Sequence, residues 1–425
     1  MYRVLCKLGA LLAVALFASA AEASAPSLVR YLGQLRPDNL PRGVNFASNS
    51  ESIDVLGNRA VVTAGNFFSG LDNGRAFLFD LSNPASPVQL AELRPSDNHA
   101  GNEFGISTAI TDRYVFVGAR GADNDSGAVY MYDISDPANI TERKITAFDS
   151  APYHYFGHSL AVSGNRLIVG APFYSVNSPP AAAYVLDFSD PDNITQIKLN
   201  RTPGTIGGNF AEQVDISGNY ALVGHISESS PFPFAGAAHL YDLSNPSNIR
   251  QRVLRPTDAP NYSAFGRTVA IEGNRALVGV SSDPGPDNPP GASDGAVWAF
   301  DLTNFNSIKQ HEFGRPTDVF QSAPFGRGLE LVGTTAAIGA FNDGVGGSVY
   351  LYDVANPLSP RQIERIAAPA GSAFFGGVLG FDGRTLLAAD GNGRAHIYQI
   401  IPEPVSAWTA AVAFGSLAWR AVRRR

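Results

Sequence analysis

Catalysis needs acids, bases, nucleophiles or metal ligands at workable spacing, and histidines are the first residues to test. The chain has seven: His99, His154, His158, His225, His239, His311 and His396. None forms a His-x-His or His-Glu-x-x-His pair, so no metalloprotease motif is present. His158 and Ser159 are adjacent, but neighbours on a strand point to opposite sides and do not make a nucleophile–base pair. No Gly-x-Ser-x-Gly elbow, phosphate-binding loop or dinucleotide fingerprint occurs. The single cysteine, Cys6, rules out a disulfide framework. Asp123-Asn124-Asp125-Ser126-Gly127 has two readings, a set of oxygen ligands for a metal or a plain turn. Asp133, Asp187, Asp242, Asp301 and Asp353 recur along the chain, most of them before Ser-Asn-Pro or a relative of it. An active site needs one copy, so repetition assigns these carboxylates to turn capping. No catalytic, cofactor-binding or metal residue is assigned, and a non-enzyme is expected.

The elements that would position such residues repeat. Phe104-Gly, Phe156-Gly, Phe265-Gly, Phe325-Gly and Phe375-Gly recur, with Phe210-Ala as a variant, at intervals of roughly 50 to 60 residues. Each is followed by an apolar run closing on a small residue: Gly118, Gly170, Gly224, Gly279, Gly339 and Ala389. A third run then ends on the recurring aspartate, as in Val129-Tyr130-Met131-Tyr132-Asp133. In the first unit Phe46 is out of register, although Gly57-Asn58 and Phe77 to Asp80 are in place. Seven units result. Each holds four short runs rich in Val, Ile, Leu, Tyr and Phe, bounded by Gly, Pro, Asn or Asp. Turns such as Gly164-Asn165 suit tight hairpins. No run keeps a 3.6-residue period, so helices are expected only in the terminal segments. The prediction is an all-β, seven-bladed propeller of four-stranded blades over residues 26–401. The last unit stops at its third strand, Ile397 to Ile401, while residues 28–37 form an orphan strand at the start. Pairing residues 28–37 with 395–401 would close the ring and leave no open edge.

At 425 residues and 44% hydrophobic the chain is long and apolar enough to fold, and its net charge of −7 argues against coating nucleic acid. Residues 1–23 read as a signal peptide: Arg3 and Lys7, an apolar stretch from Leu8 to Phe17, then cleavage after Ala20 or Ala23. At the other end, Pro402-Glu403-Pro404 precedes the apolar run 405–419, followed by Arg420, Arg423, Arg424 and Arg425. The run is a transmembrane helix of marginal length, and the arginines would stay cytoplasmic. This tail resembles the PEP-CTERM sorting signal of Gram-negative bacteria. The resemblance implies an exosortase as processing partner and an inner-membrane-tethered precursor. It also implies release to the cell surface or the extracellular polysaccharide matrix, as in a biofilm.

The repeats resemble the FG-GAP repeats of integrin-α-type propellers, through the Phe-Gly openings and the Gly-Ala endings at Gly118-Ala119 and Gly170-Ala171. Calcium-binding members carry an Asp-rich loop between the first two strands. Here that loop is a turn such as Ser163-Gly164-Asn165-Arg166, too small for a six-to-eight-oxygen cage, so no calcium or other cofactor is carried over. Variable loops on a rigid scaffold are where binding is expected. Residues 172–180, 227–236 and 281–295 vary and share a face with connections holding Tyr153, His154, Tyr155 and Tyr262. That face is the candidate ligand surface, and Tyr153, Tyr155 and Tyr262 are its candidate residues. The reading is a monomeric, surface-sorted binding protein for exopolysaccharide or another surface protein. The alternatives are a secreted polysaccharide-degrading enzyme and a purely structural matrix component.

Overall fold

The computed structural model describes residues 28–401 except 41–44, 48–51, 66–73, 98, 100, 173–179, 203–207, 230–234, 257–263, 281–294, 314–315, 317–318 and 320–322. The signal segment 1–23, the sorting tail 402–425, Tyr262 and most of the three variable loops lie outside the described residues. Tyr31–Ile400 is one compact unit.

Seven sheets make a seven-bladed β-propeller, and the only described helix is a single turn, Ala122–Asp125. The second blade shows the plan. β7 (Phe104–Ile110) lies innermost, followed outward by β8 (Tyr114–Ala119), β9 (Ala128–Asp133) and β10 (Thr141–Ile145), each antiparallel to its neighbour. The two middle strands are buried along almost their whole length, whereas the outer strand alternates exposed and half-buried residues before ending on buried Ile145. That difference explains the composition. Middle strands are covered by blades on both faces and need continuous apolar side chains, while the outer strand meets water. Innermost strands of successive blades touch in a closed circuit.

The ring closes with the N-terminal strand. β1 (Val29–Leu35) pairs with β29 (Arg394–Ile400), which continues to β28 (Thr385–Asp390) and β27 (Leu379–Phe381). Tyr31 packs edge-on against Tyr398 with ring centroids 5.3 Å apart. The orphan strand thus supplies the fourth strand of the last blade.

The recurring Phe-Gly and Gly-Ala pairs join neighbouring blades. Each motif phenylalanine, Phe104, Phe156, Phe210, Phe265, Phe325 and Phe375, is no more than 1% exposed. The glycine after it takes positive φ, 92° at Gly157, where an added Cβ would meet the Ala128 carbonyl at 2.4 Å. Across the junction a Cβ on Gly118 would lie 2.0 Å from the Gly157 carbonyl. That same carbonyl accepts the Ser107 hydroxyl at 2.8 Å. Thr268 repeats the bond to Gly326 at 2.8 Å, and Thr63 to Gly105 at 2.6 Å. The motif is therefore a close-approach buckle, and at Gly118 and Gly157 only glycine fits because backbone meets backbone.

One expectation is corrected. Phe46 is out of register in sequence but in place in space: Phe46 opposes Ala64 as Phe104 opposes Ala119. It is 1% exposed and packs on Phe77 and Phe79, and Ala47 takes the glycine's place at φ 54°. The chain from Ala47 to Ile53 is longer than that from Gly105 to Thr108, which hides the match. The recurring aspartates do cap turns. The first carboxylate oxygen of Asp133 accepts the Ser135 N–H at 3.0 Å, and Asp187, Asp242 and Asp301 repeat the bond two residues on.

Candidate functional site

The loops between second and third strands meet the blade-to-blade connections on one face, hereafter the upper face. Short parallel bridges, Gly127 with Phe156, Gly236 with Phe265 and Gly347 with Phe375, tie them together. Immediately before five of the six motif phenylalanines the backbone turns left-handed: Glu103, Tyr155, Asn209, Ala264 and Phe374 all have φ between 52° and 58°, and Pro324 before Phe325 is the exception. The phenylalanine is anchored inward, so this twist presents the preceding residue to the upper face. Non-glycine residues held in that region cluster where surrounding structure over-determines them. These positions differ from blade to blade, while the anchors do not.

Tyr153 is 52% exposed on this face, and Tyr155 is half-buried. Between them His154 is fully buried, its Nε2 3.1 Å from the Tyr184 hydroxyl. Tyr155 donates its backbone N–H to the Asp125 carbonyl at 2.9 Å. Burial, and then the Asp125 charge, push its phenol upward in pKa. Nearby, Glu103 pairs with Arg120, whose Nη1 lies 3.1 Å from His158 Nδ1. A guanidinium only donates, so Nδ1 must keep its lone pair. Burial first, then Arg120, hold His158 down at about 3. Asp125 is raised by burial and by Glu103. In the Asp123–Asp125 run, Asp123 accepts Lys144 Nζ at 2.9 Å, as a turn residue would. The structure therefore brings Tyr155 to a charged cluster and leaves Tyr153 projecting beside it. No group of three or more His, Cys, Asp or Glu side chains among the described residues is placed to hold a metal.

Much of the polar chemistry on this face is structural. Tyr130 donates to Asp97 at 2.6 Å while Lys144 takes the other carboxylate oxygen at 2.6 Å. Tyr184, Asp149 and Lys198 repeat the triad, and Tyr350, Asp343 and Arg365 form a third version. Each pins an upper-face loop or connection to the outer half of a blade.

Sequence reading missed two features. Innermost strands of all seven blades line a central cavity of about 230 Å3 that holds Asp54, Asp215, Glu272, Glu330 and Arg327. Asp54 accepts the N–H of Val55 at 2.7 Å and of Ile110, in the next blade, at 2.8 Å. Asp215 does the same with Ile216 and Ile271, both at 2.7 Å. Both open only onto the narrow channel, and desolvation raises each to about 7 against the pull of those hydrogen bonds. They are blade-to-blade clamps. The second feature is a pocket of about 280 Å3 on the upper face, walled by Phe341, Phe374 and Arg327. Aligning the residue before each Phe-Gly pair would have pointed to Phe374; nothing in one repeat alone would.

Residues 87–132 and 140–186 match the FG-GAP repeat family. The protein is a seven-bladed β-propeller in which two stretches match the FG-GAP repeat. No curated protein matches the chain. Among solved structures, Pyrococcus horikoshii acylaminoacyl peptidase in its orthorhombic form superposes with a TM-score of 0.48 at 11% identity, covering 82% of this chain and 49% of that one. Its uncomplexed form gives the same score and identity, covering 81% and 49%. The chain spans about half the length of those proteins.

Proposed function

We propose that this protein is an exported, non-enzymatic binding protein of the cell surface or extracellular polysaccharide matrix of a Gram-negative bacterium. The observation that carries this reading is the contrast between a repeating scaffold and one face of unlike side chains, among them exposed Tyr153 and Phe374 at 52% and 56%. The channel carboxylates Asp54 and Asp215 are each engaged by two backbone N–H groups, which gives them the work of blade-to-blade clamps. The ligand class is exopolysaccharide, with a surface protein as second choice.

Delivery rests on the two terminal segments. Among the described residues no helix is long and apolar enough to cross a membrane, and 405–419 lies outside them. Two prolines around Glu403 remove backbone donors and favour an extended segment that a processing enzyme can grip. The apolar run would hold that segment at the membrane surface, with Arg420 and Arg423 to Arg425 on the cytoplasmic side. Exosortase cleavage would then free the body from its transient membrane tether. Changing Pro402, Glu403 and Pro404 to alanine should leave export intact and trap uncleaved precursor in the inner membrane. Fractionation of exosortase-containing cells, with mass measurement of the mature C-terminus, decides it. Wild-type protein outside the cell with Arg425 still attached eliminates the sorting reading.

A further inference from the structure

The pocket beside Phe374 differs from the rest of the upper face in what it leaves uncommitted. Phe374 is 56% exposed and tilts at 45° against Phe341, with ring centroids 5.9 Å apart. Two glycines keep the space beside these rings open. A Cβ on Gly391 would meet Phe374 Cδ2 at 2.7 Å, and one on Gly377 would lie 3.5 Å from Phe341 Cβ. Asp390 lines the pocket, but its carboxylate is used by His396 at 3.1 Å and by the N–H groups of Asn392 and Arg394. Arg327, which reaches from the central cavity, also lines it, and this guanidinium makes no hydrogen bond or ion pair among the described residues. Burial, and then the neighbouring Arg267, disfavour its charge, with Glu212 opposing. A half-buried guanidinium whose donors are unused, and which Glu212 offsets only at a distance, favours an anion that can reach it.

We propose that this pocket is a subsite for a uronic-acid residue of an acidic polysaccharide, its ring face on Phe374 and its carboxylate on Arg327. The proposal rests on the reading of the propeller as a binding protein and names the ligand class. Planar guanidinium matches carboxylate two-pronged, and an exposed aromatic ring takes the apolar face of a sugar. At about 280 Å3 the volume is at the lower end for small-molecule pockets, so one sugar ring is the natural occupant. An acidic peptide is disfavoured because none of the lining residues belongs to an outer strand, whose unpaired edge a peptide backbone would need.

The test is calorimetric titration of the full-length chain with oligogalacturonate and oligomannuronate, with their methyl esters, and with a neutral glucan oligomer. Arg327→Gln and Phe374→Ala should each weaken uronate binding at least tenfold, Arg327→Lys should restore part of it, and esterification should weaken it as strongly. Thermal melts establish that each variant is folded, and Phe148→Ala, an exposed aromatic elsewhere, should change nothing. Absence of uronate binding, equal binding of the ester, or full binding by both pocket variants overturns the subsite. If the neutral glucan binds, undiminished in those variants, the subsite fails while the binding reading stands. If no oligosaccharide binds, the subsite and the exopolysaccharide reading both fail.

Discussion

A carboxyl group walled in by protein titrates against its neighbours rather than against water, and this protein holds two such groups beside histidines perturbed the other way. Burial places Asp54 and Asp215 near 7, above an ordinary 3.8. Their contribution to stability is therefore fully present below pH 3.8 and is lost as pH rises to about 7. His158 and His239 are both held at about 3 by burial, against an ordinary 6.5. Folded imidazole refuses a proton that the unfolded chain accepts, so stability falls as pH drops from 6.5 toward 3. Between about pH 4 and 6.5 the pairs oppose, each group contributing about 1.4 kcal/mol per pH unit. The double variant Asp54→Asn, Asp215→Asn keeps only the histidine side of this balance. Its urea midpoint should fall more steeply than wild type on acidification across that window, whatever its stability at pH 7. Parallel slopes would show that the two carboxyls titrate normally.

At the scale of the strand and its turns, two kinds of glycine look alike in sequence and do different work. Gly164 sits in a hairpin at φ 58° with nothing within 4 Å of an added Cβ. Gly164→Ala should cost about 1 kcal/mol, the strain of the left-handed backbone alone. Gly157 combines φ 92° with the Ala128 carbonyl 2.4 Å from the added atom. Gly157→Ala must separate two blades and should cost about 3 kcal/mol or more. Chemical denaturation of both variants compares them directly, and equal losses would refute the buckle. Ala47 and Ala211 occupy the same backbone position at φ 54° and 66°. They show that a side chain is tolerated where the local backbone is built for it.

At the scale of the whole ring, closure should be cooperative. A propeller whose last blade lacks its outer strand exposes the unpaired edge of Arg394–Ile400 and uncovers Tyr398. Deleting residues 28–37 should lower Tm by on the order of 10 °C or drive aggregation. A monomeric deletion variant with unchanged Tm, measured by calorimetry and light scattering, would refute closure by this strand.

Blade number, strand order and the closing strand were legible in the chain because repetition multiplies weak local signals. Five Phe-Gly openings, three Gly-Ala endings and six capping aspartates fix a period that a single copy could not. Phe46 escaped because longer chain before Ile53 breaks the spacing without breaking the pairing. Function resists the same method, since what repeats is scaffold and what binds is the exception. Tyr155 could be singled out as an aromatic beside its motif, and the structure sets it against Asp125. Phe374 and Arg327 stand at ordinary repeat positions in neighbouring blades, and only the packing of one blade on the next brings them to one pocket with Phe341. Likewise no local pattern marks Asp54 or Asp215. Their perturbation comes from the channel, a space that exists only once seven innermost strands have met around it.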